Sequence, residues 1–165
     1  PKDLKALTAY GRKLGTHMEI LEAAIRVNVA QPQKVVDLLK KHFPKIEGVR
    51  VSVLGIAFKP GTDDIRESPA ISVIESLLSQ GAIVKSYDPY ARKEAQKYFS
   101  QNELAFCSDL TDALNGAEAI VIITQWPEFE AIPRLLASRE NPPIVIDGRR
   151  MLDKDSVSIY EGIGL

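Results

Sequence analysis

Cationic and acidic side chains crowd into one stretch of this sequence, GIAFKPGTDDIRES, from Gly55 to Ser68. Lys59 and Arg66 stand beside Asp63 and Asp64, within the twelve residues that separate Gly55 from Ser68. A strand-to-helix connection usually takes about 2–6 residues, and longer ones often carry function. The stretch feeds Ser68-Pro69, an N-cap residue followed by a proline suited to the first helical position. Backbone amides at a helix start, with the positive end of its dipole, favour phosphate. Lysine adds a point charge there, and arginine a bidentate fork. Two readings stand side by side: a phosphate-binding loop, or a surface loop laced with salt bridges.

Other candidates are sparser. Asp147-Gly148-Arg149-Arg150 follows an apolar run and is either a ligand-reaching arginine pair or a solvent-facing turn. Asp88 lies where a dinucleotide fold keeps its ribose-binding carboxylate. No GxGxxG precedes it, however, so an Asp88-Pro89 turn is the better reading. Cys107 is the single cysteine, in an Ala-Phe-Cys segment that suits a small buried residue. His17 and His42 show no metal-ligand spacing and read as ordinary surface imidazoles.

The elements that must position these groups alternate. Leu4, Leu7, Leu14, Met18, Leu21 and Ile25 recur at helical spacing, broken near Gly15 and Thr16. A second helical stretch runs from His17 to Leu39, and Pro32 should kink or break it. After Pro44 the pattern changes. Strands are expected at Val49–Leu54, Ala82–Tyr87, Ala105–Cys107, Ala119–Thr124 and Ile144–Ile146, with helices between them. This predicts an α/β protein: a Rossmann-like, doubly wound parallel sheet of about five strands, preceded by a long-helix segment. The division expected is a helical segment at 1–44 and an α/β domain at 45–165. Ligands of such sheets bind outside the carboxyl ends of the strands, which selects Gly55–Ser68, Asp88–Tyr90 and Asp147–Arg150.

Bulk properties exclude several classes. The net charge of −1 and the pI near 6.2 provide no global field for nucleic acid or anionic lipid. No apolar run approaches the ~18 residues of a membrane span. A single cysteine excludes an intrachain disulfide framework and suits a reducing, cytoplasmic setting.

The segment GIAFKPGTDDIRESPA, followed by a helix and Tyr87-Asp88-Pro89, resembles the signature of the UDP-glucose/GDP-mannose dehydrogenase family's C-terminal domain. TQWPEF, IDGRRML and YEGIG agree with it in the same order. The long helix carrying Asn28 and Gln31 resembles the family's central dimerisation helix, and Pro1-Lys2-Asp3-Leu4 resembles the tail of its GGSCFPKDL motif.

The resemblance implies that Phe58 and Lys59 contact a UDP-sugar substrate, with Lys59 near its phosphates or sugar, and that Arg149 also binds substrate. It implies that Arg66 and Lys2 contact NAD, and that Asp3 positions or activates the hydrolytic water. The implied reaction oxidises the sugar C6 alcohol twice with two NAD, by way of a cysteine thioester. UDP-glucose is the leading substrate, with GDP-mannose and UDP-N-acetylhexosamine as alternatives, and a homodimer through the long helix is expected. The family's nucleophilic cysteine would fall just before Pro1, and its N-terminal NAD domain further upstream. The expectation is therefore a portion of a dehydrogenase that is inactive by itself; a stand-alone sugar-nucleotide-binding or regulatory module is the alternative.

Overall fold

The computed structural model describes residues 2–100 and 103–164. Pro1, the first residue of the PKDL motif, lies outside them. Two helices come first, α1 (Lys2–Lys13) and α2 (Glu19–His42). The α/β part follows as β1 (Arg50–Leu54), α3 (Pro69–Ser79), β2 (Ile83–Tyr87), α4 (Arg92–Tyr98), β3 (Ala105–Phe106) and α5 (Leu110–Leu114). It continues through β4 (Ala119–Ile122), a 3-10 turn (Pro127–Ala131) leading into α6 (Ile132–Leu136), β5 (Ile144–Asp147) and β6 (Tyr160–Gly162).

All five strand pairings are parallel, in the order β3-β2-β1-β4-β5-β6. This is the doubly wound sheet expected, with six strands rather than about five. The extra strand, β6, holds only Tyr160, Glu161 and Gly162. Three residues with a charge among them carry no apolar run, and only pairing with β5 makes them a strand. The winding reverses between β1 and β4, and the register sets Leu54 beside both Tyr87 and Ile122, and Ile122 beside Asp147. The carboxyl ends of four strands are thereby brought level.

The β-branched runs read from the sequence form the core. Every residue of β4 and β5 is buried, as are Val51, Val53 and Leu54 of β1. Ala70, Val73, Ile74 and Leu77 turn one face of α3 inward. Ser68 caps that helix by accepting from the Ala70 N–H at 3.2 Å, and Gly81, at φ +79, ends the turn after it.

Pro32 does not break the second helix: α2 is continuous through it for 24 residues. An internal proline costs about 3 kcal/mol. Val35, Val36 and Leu39 are buried just beyond it, and burial of each is worth ~1.5–3 kcal/mol, which outweighs that cost. The helix ends at His42, with Phe43 as its C-cap immediately before Pro44, where a helical conformation is disfavoured. The first half of α2, the outer face of α1 and the turn after it leave Leu7, Tyr10, Leu14, Ile20, Val27 and Val29 exposed.

Close approach at the switch point demands glycine. Gly55 has φ +86, and a Cβ there would fall 2.6 Å from the backbone nitrogen of Thr124. Left-handed strain and backbone overlap predict that Gly55→Ala destabilises the fold by about 3 kcal/mol or more, read by urea denaturation. A loss below about 1 kcal/mol would show that β1 and β4 can separate at this point without cost.

Candidate functional site

The loop leaving β1 is fixed before it reaches its charged residues. The Ile56 and Ala57 N–H groups donate to Asp88 Oδ2 at 2.7 and 2.9 Å, and Thr124 Oγ1 donates to the Ala57 carbonyl at 2.5 Å. The Phe58 N–H then donates to the Asp64 carbonyl at 2.8 Å, closing a short excursion whose tip is Lys59-Pro60-Gly61. Gly61, at φ +80, makes the reversal. Phe58 and Lys59 thus project from an anchored base.

Asp88 is the turn residue expected, and also a buried junction, 4% exposed. Besides Ile56 and Ala57 it accepts from the N–H groups of Tyr90 and Ala91 at 2.9 and 2.8 Å, and from Trp126 Nε1 at 3.1 Å. Tyr90 stacks on Trp126 with ring centroids 5.0 Å apart. Asp147 plays the same part after β5. It accepts from the N–H groups of Arg149, Met151 and Leu152 at 2.8–2.9 Å, and from the Tyr160 hydroxyl at 3.2 Å. Burial, and then the Asp147 carboxylate, push the Tyr160 phenol up to about 12, so it remains a donor.

At the carboxyl ends of β1, β4 and β5 a cavity of about 700 Å³ opens toward α1 and α2. Such a volume suits a small organic ligand. Phe58, Lys59 and Arg149 all line it, so three of the residues singled out in the sequence meet here from loops about ninety positions apart. The Arg149 guanidinium is braced by donating from Nε to the Ile123 carbonyl. Asn28, Gln31 and Pro32 supply the wall from α2.

The residues expected to serve NAD and the hydrolytic water lie away from this cavity. Arg66 is not on the lining: its side chain is 87% exposed and forms a two-pronged pair with Asp64, Nε to Oδ1 at 2.9 Å and Nη2 to Oδ2 at 2.7 Å. That guanidinium holds the Asp64 carboxyl down at about 2. Lys2 and Asp3 occupy the first turn of α1, exposed and off the lining. The start of α3 offers less to an anion than the sequence suggested. Pro69 has no N–H, Ala70 is capped by the Ser68 side chain, and Ile71 donates to the Ser68 carbonyl at 3.2 Å. The dipole remains, but those amides are spent. The lining also holds Lys5 and Glu67, which drew no attention in the sequence. The signal was modest: Lys5 follows Lys2 by three positions and shares its helix face.

A doubly wound sheet in 3-2-1-4-5-6 order, with a cation-lined cavity at its switch point, defines a Rossmann-type nucleotide-binding domain. Residues 52–154 match the family model described as "UDP-glucose/GDP-mannose dehydrogenase family, UDP binding domain", and the chain belongs to that family. It is 43% identical to the UDP-glucose 6-dehydrogenase AglM of Haloferax volcanii, over 99% of this chain and 37% of that protein. With the UDP-glucose 6-dehydrogenase TuaD of Bacillus subtilis it shares 34% identity, over 99% and 36%. Among solved structures, a UDP-glucose dehydrogenase from Pyrobaculum islandicum matches with a TM-score of 0.86 at 36% identity, over 98% of this chain and 36% of that one. A GDP-mannose dehydrogenase from Pseudomonas aeruginosa gives a TM-score of 0.76 at 25% identity, over 99% and 38%. The chain therefore spans between 36% and 38% of the length of these relatives.

Cys107 is buried, 5% exposed, as its segment suggested. Burial, then the nearby Asp112 carboxylate, push its thiol up from 9.0 to about 11, which at pH 8 leaves about a hundredfold less thiolate. The folded chain is expected to resist iodoacetamide at pH 8 and to be modified readily once unfolded in urea, as read by intact mass. Stoichiometric labelling of the folded chain would contradict the burial.

Proposed function

We propose that this chain forms the nucleotide-sugar-binding part of an NAD-dependent UDP-glucose 6-dehydrogenase, a protein that oxidises UDP-glucose to UDP-glucuronate in two steps. What carries the reading is the meeting of Phe58, Lys59 and Arg149 around one cavity, in a domain of the UDP-binding type. Lys59 and Arg149 hold the diphosphate by charge-assisted hydrogen bonds, and Phe58 gives an apolar surface beside them. Fixing the diphosphate presents the sugar C6 to groups outside this domain. The nucleophilic thiol is one of those groups, because buried Cys107 is neither reachable nor ionised near neutral pH.

NAD, when bound, accepts hydride from the alcohol carbon. This domain does not itself fit a dinucleotide. The loop after β1 lacks the glycine fingerprint, and both oxygens of Asp88 are committed to backbone and indole donors instead of a ribose. Lys2 and the outward-facing Arg66 serve the cofactor from the side of a separate NAD-binding domain, and Asp3 positions the hydrolytic water. The helical segment 1–44 forms a homodimer through the apolar residues exposed on α1 and α2. The working protein is cytoplasmic, where nucleotide sugars and NAD are available to it.

Within the described residues no helix is long and apolar enough to cross a membrane. GDP-mannose is the second reading, supported by the likeness to a GDP-mannose dehydrogenase. Calorimetric titration of the chain with UDP and GDP decides between them: UDP is expected to bind more tightly, and the reverse order would move the assignment to the second substrate. Lys59→Ala is expected to weaken UDP binding by about 1.5–3 kcal/mol, roughly ten- to a hundredfold. An unchanged affinity would remove Lys59 from the diphosphate.

A further inference from the structure

Two residues of the cavity lining, Lys5 and Glu67, form an ion pair across 62 positions of sequence, with Nζ 2.6 Å from Oε1. The pair joins α1 to the loop immediately before the Ser68 cap of α3. Lys5, and more distantly Lys2, hold the Glu67 carboxyl below the usual glutamate range.

As a stabilising device the pair makes little sense. Its side chains are 52% and 39% exposed, and ion pairs at that exposure add little stability. Glu67 meanwhile occupies the left-handed region at φ +57, where a residue with a Cβ is strained and glycine is not. A strained residue kept for a weak contact points to a use of the contact other than stability. The position supplies one, because Lys59 and Arg149 share the cavity with the pair. With Lys5 the lining carries three cationic side chains against the single carboxylate of Glu67. Without Lys5, that carboxylate would be left unpaired and would offset one of the two remaining cations in a cavity meant for an anion.

We infer that Lys5 is a third anion-binding residue of this cavity and that Glu67 is the positioning residue that holds its ammonium there. The inference rests on the nucleotide reading and extends it from the two cations of the loops to one on α1. A lysine on a flexible four-carbon stem is fixed by its bond to Glu67 before a diphosphate arrives, so less freedom is lost on binding. Because Lys2 and Asp3 lie on the same helix one turn earlier, the contact also sets where the start of α1 stands relative to the phosphates.

The test is calorimetric titration of the 165-residue chain with UDP and with uridine, alongside thermal melts. Lys5→Met is expected to weaken UDP binding about fivefold or more, and Lys5→Arg to stay within about twofold of the parent. Glu67→Gln separates the alternatives. It removes a negative charge from an anion site, so a purely electrostatic role predicts equal or tighter UDP binding, whereas positioning predicts binding about threefold weaker. The double variant Lys5→Met/Glu67→Gln should be no weaker than Lys5→Met alone. Uridine, which has no phosphate, should be indifferent to all of them. Glu67→Gly should leave the melting temperature equal or higher, since it relieves the left-handed strain. Undiminished UDP affinity in Lys5→Met, or equal or tighter binding in Glu67→Gln, overturns the inference and leaves the nucleotide reading standing. Failure of the parent chain, folded by its melt, to bind UDP at all sinks the nucleotide reading and the inference with it. Should Lys5→Met not fold, Glu67→Gln and Lys5→Arg decide the matter by the same criteria.

Discussion

Asp88, at the carboxyl end of β2, receives five N–H donors on two oxygens: four from backbone and one from an indole. A carboxylate removed from water is costly unless donors replace its hydration. Here the replacement comes from three segments far apart in sequence: the start of the loop after β1, the entry to α4, and the turn after β4. Oδ2 holds the first and the third of these segments, and Oδ1 the second. Because Ile56 and Ala57 come directly before Phe58 and Lys59, the depth at which Asp88 sits determines where the cavity's cationic and apolar contacts begin. Asp147 repeats the arrangement after β5, gathering Arg149, Met151, Leu152 and Tyr160. Two buried acids thus shape the surroundings of two exposed bases.

The separation of tasks explains why the cations need not be buried. Lys59 and Arg149 are exposed residues, yet the backbone that carries each is fixed by hydrogen bonds within one or two residues. A charge that must meet a solvated diphosphate avoids the desolvation that burial would impose, while its anchored base keeps the ordering cost of binding small. Arg66 shows the contrast. Its backbone is equally well held, by an N–H bond to Asp64 Oδ1 at 2.9 Å, but its guanidinium is spent on the same carboxylate and faces solvent.

The sequence made the sheet legible because β4 and β5 are buried on both faces and therefore read as unbroken apolar runs. It could not announce β6, whose three residues depend on their neighbour for identity. It overstated Pro32 as a helix breaker, since a proline's local penalty is visible in the chain and the burial of Val35, Val36 and Leu39 against distant elements is not. Around the cavity, Lys59 and Arg149 were readable because they follow strand ends, where topology concentrates ligands, whereas Phe58 stood out only through the family resemblance. Lys59 and Arg66 looked alike as cations in one loop; only the fold of that loop sends one into the cavity and the other out. Lys5 and Glu67 were invisible as a pair, because nothing in a linear pattern brings residues 62 positions apart to 2.6 Å.

The unbroken course of α2 has a mechanical meaning. Its second half is seated in the core by Val35, Val36 and Leu39, while Ile20 and Val29 on the first half stand 85% and 71% exposed. A helix rises about 1.5 Å per residue, so Ile20 lies roughly 24 Å from the seated turn. A tilt of about 5° there carries Ile20 through some ~2 Å, together with the end of α1 that Arg12 holds to Glu22. Asn28, Gln31 and Pro32 ride on the arm between pivot and tip, and they are one wall of the cavity. Any change in the heading of the arm therefore changes the width of the cavity on that side.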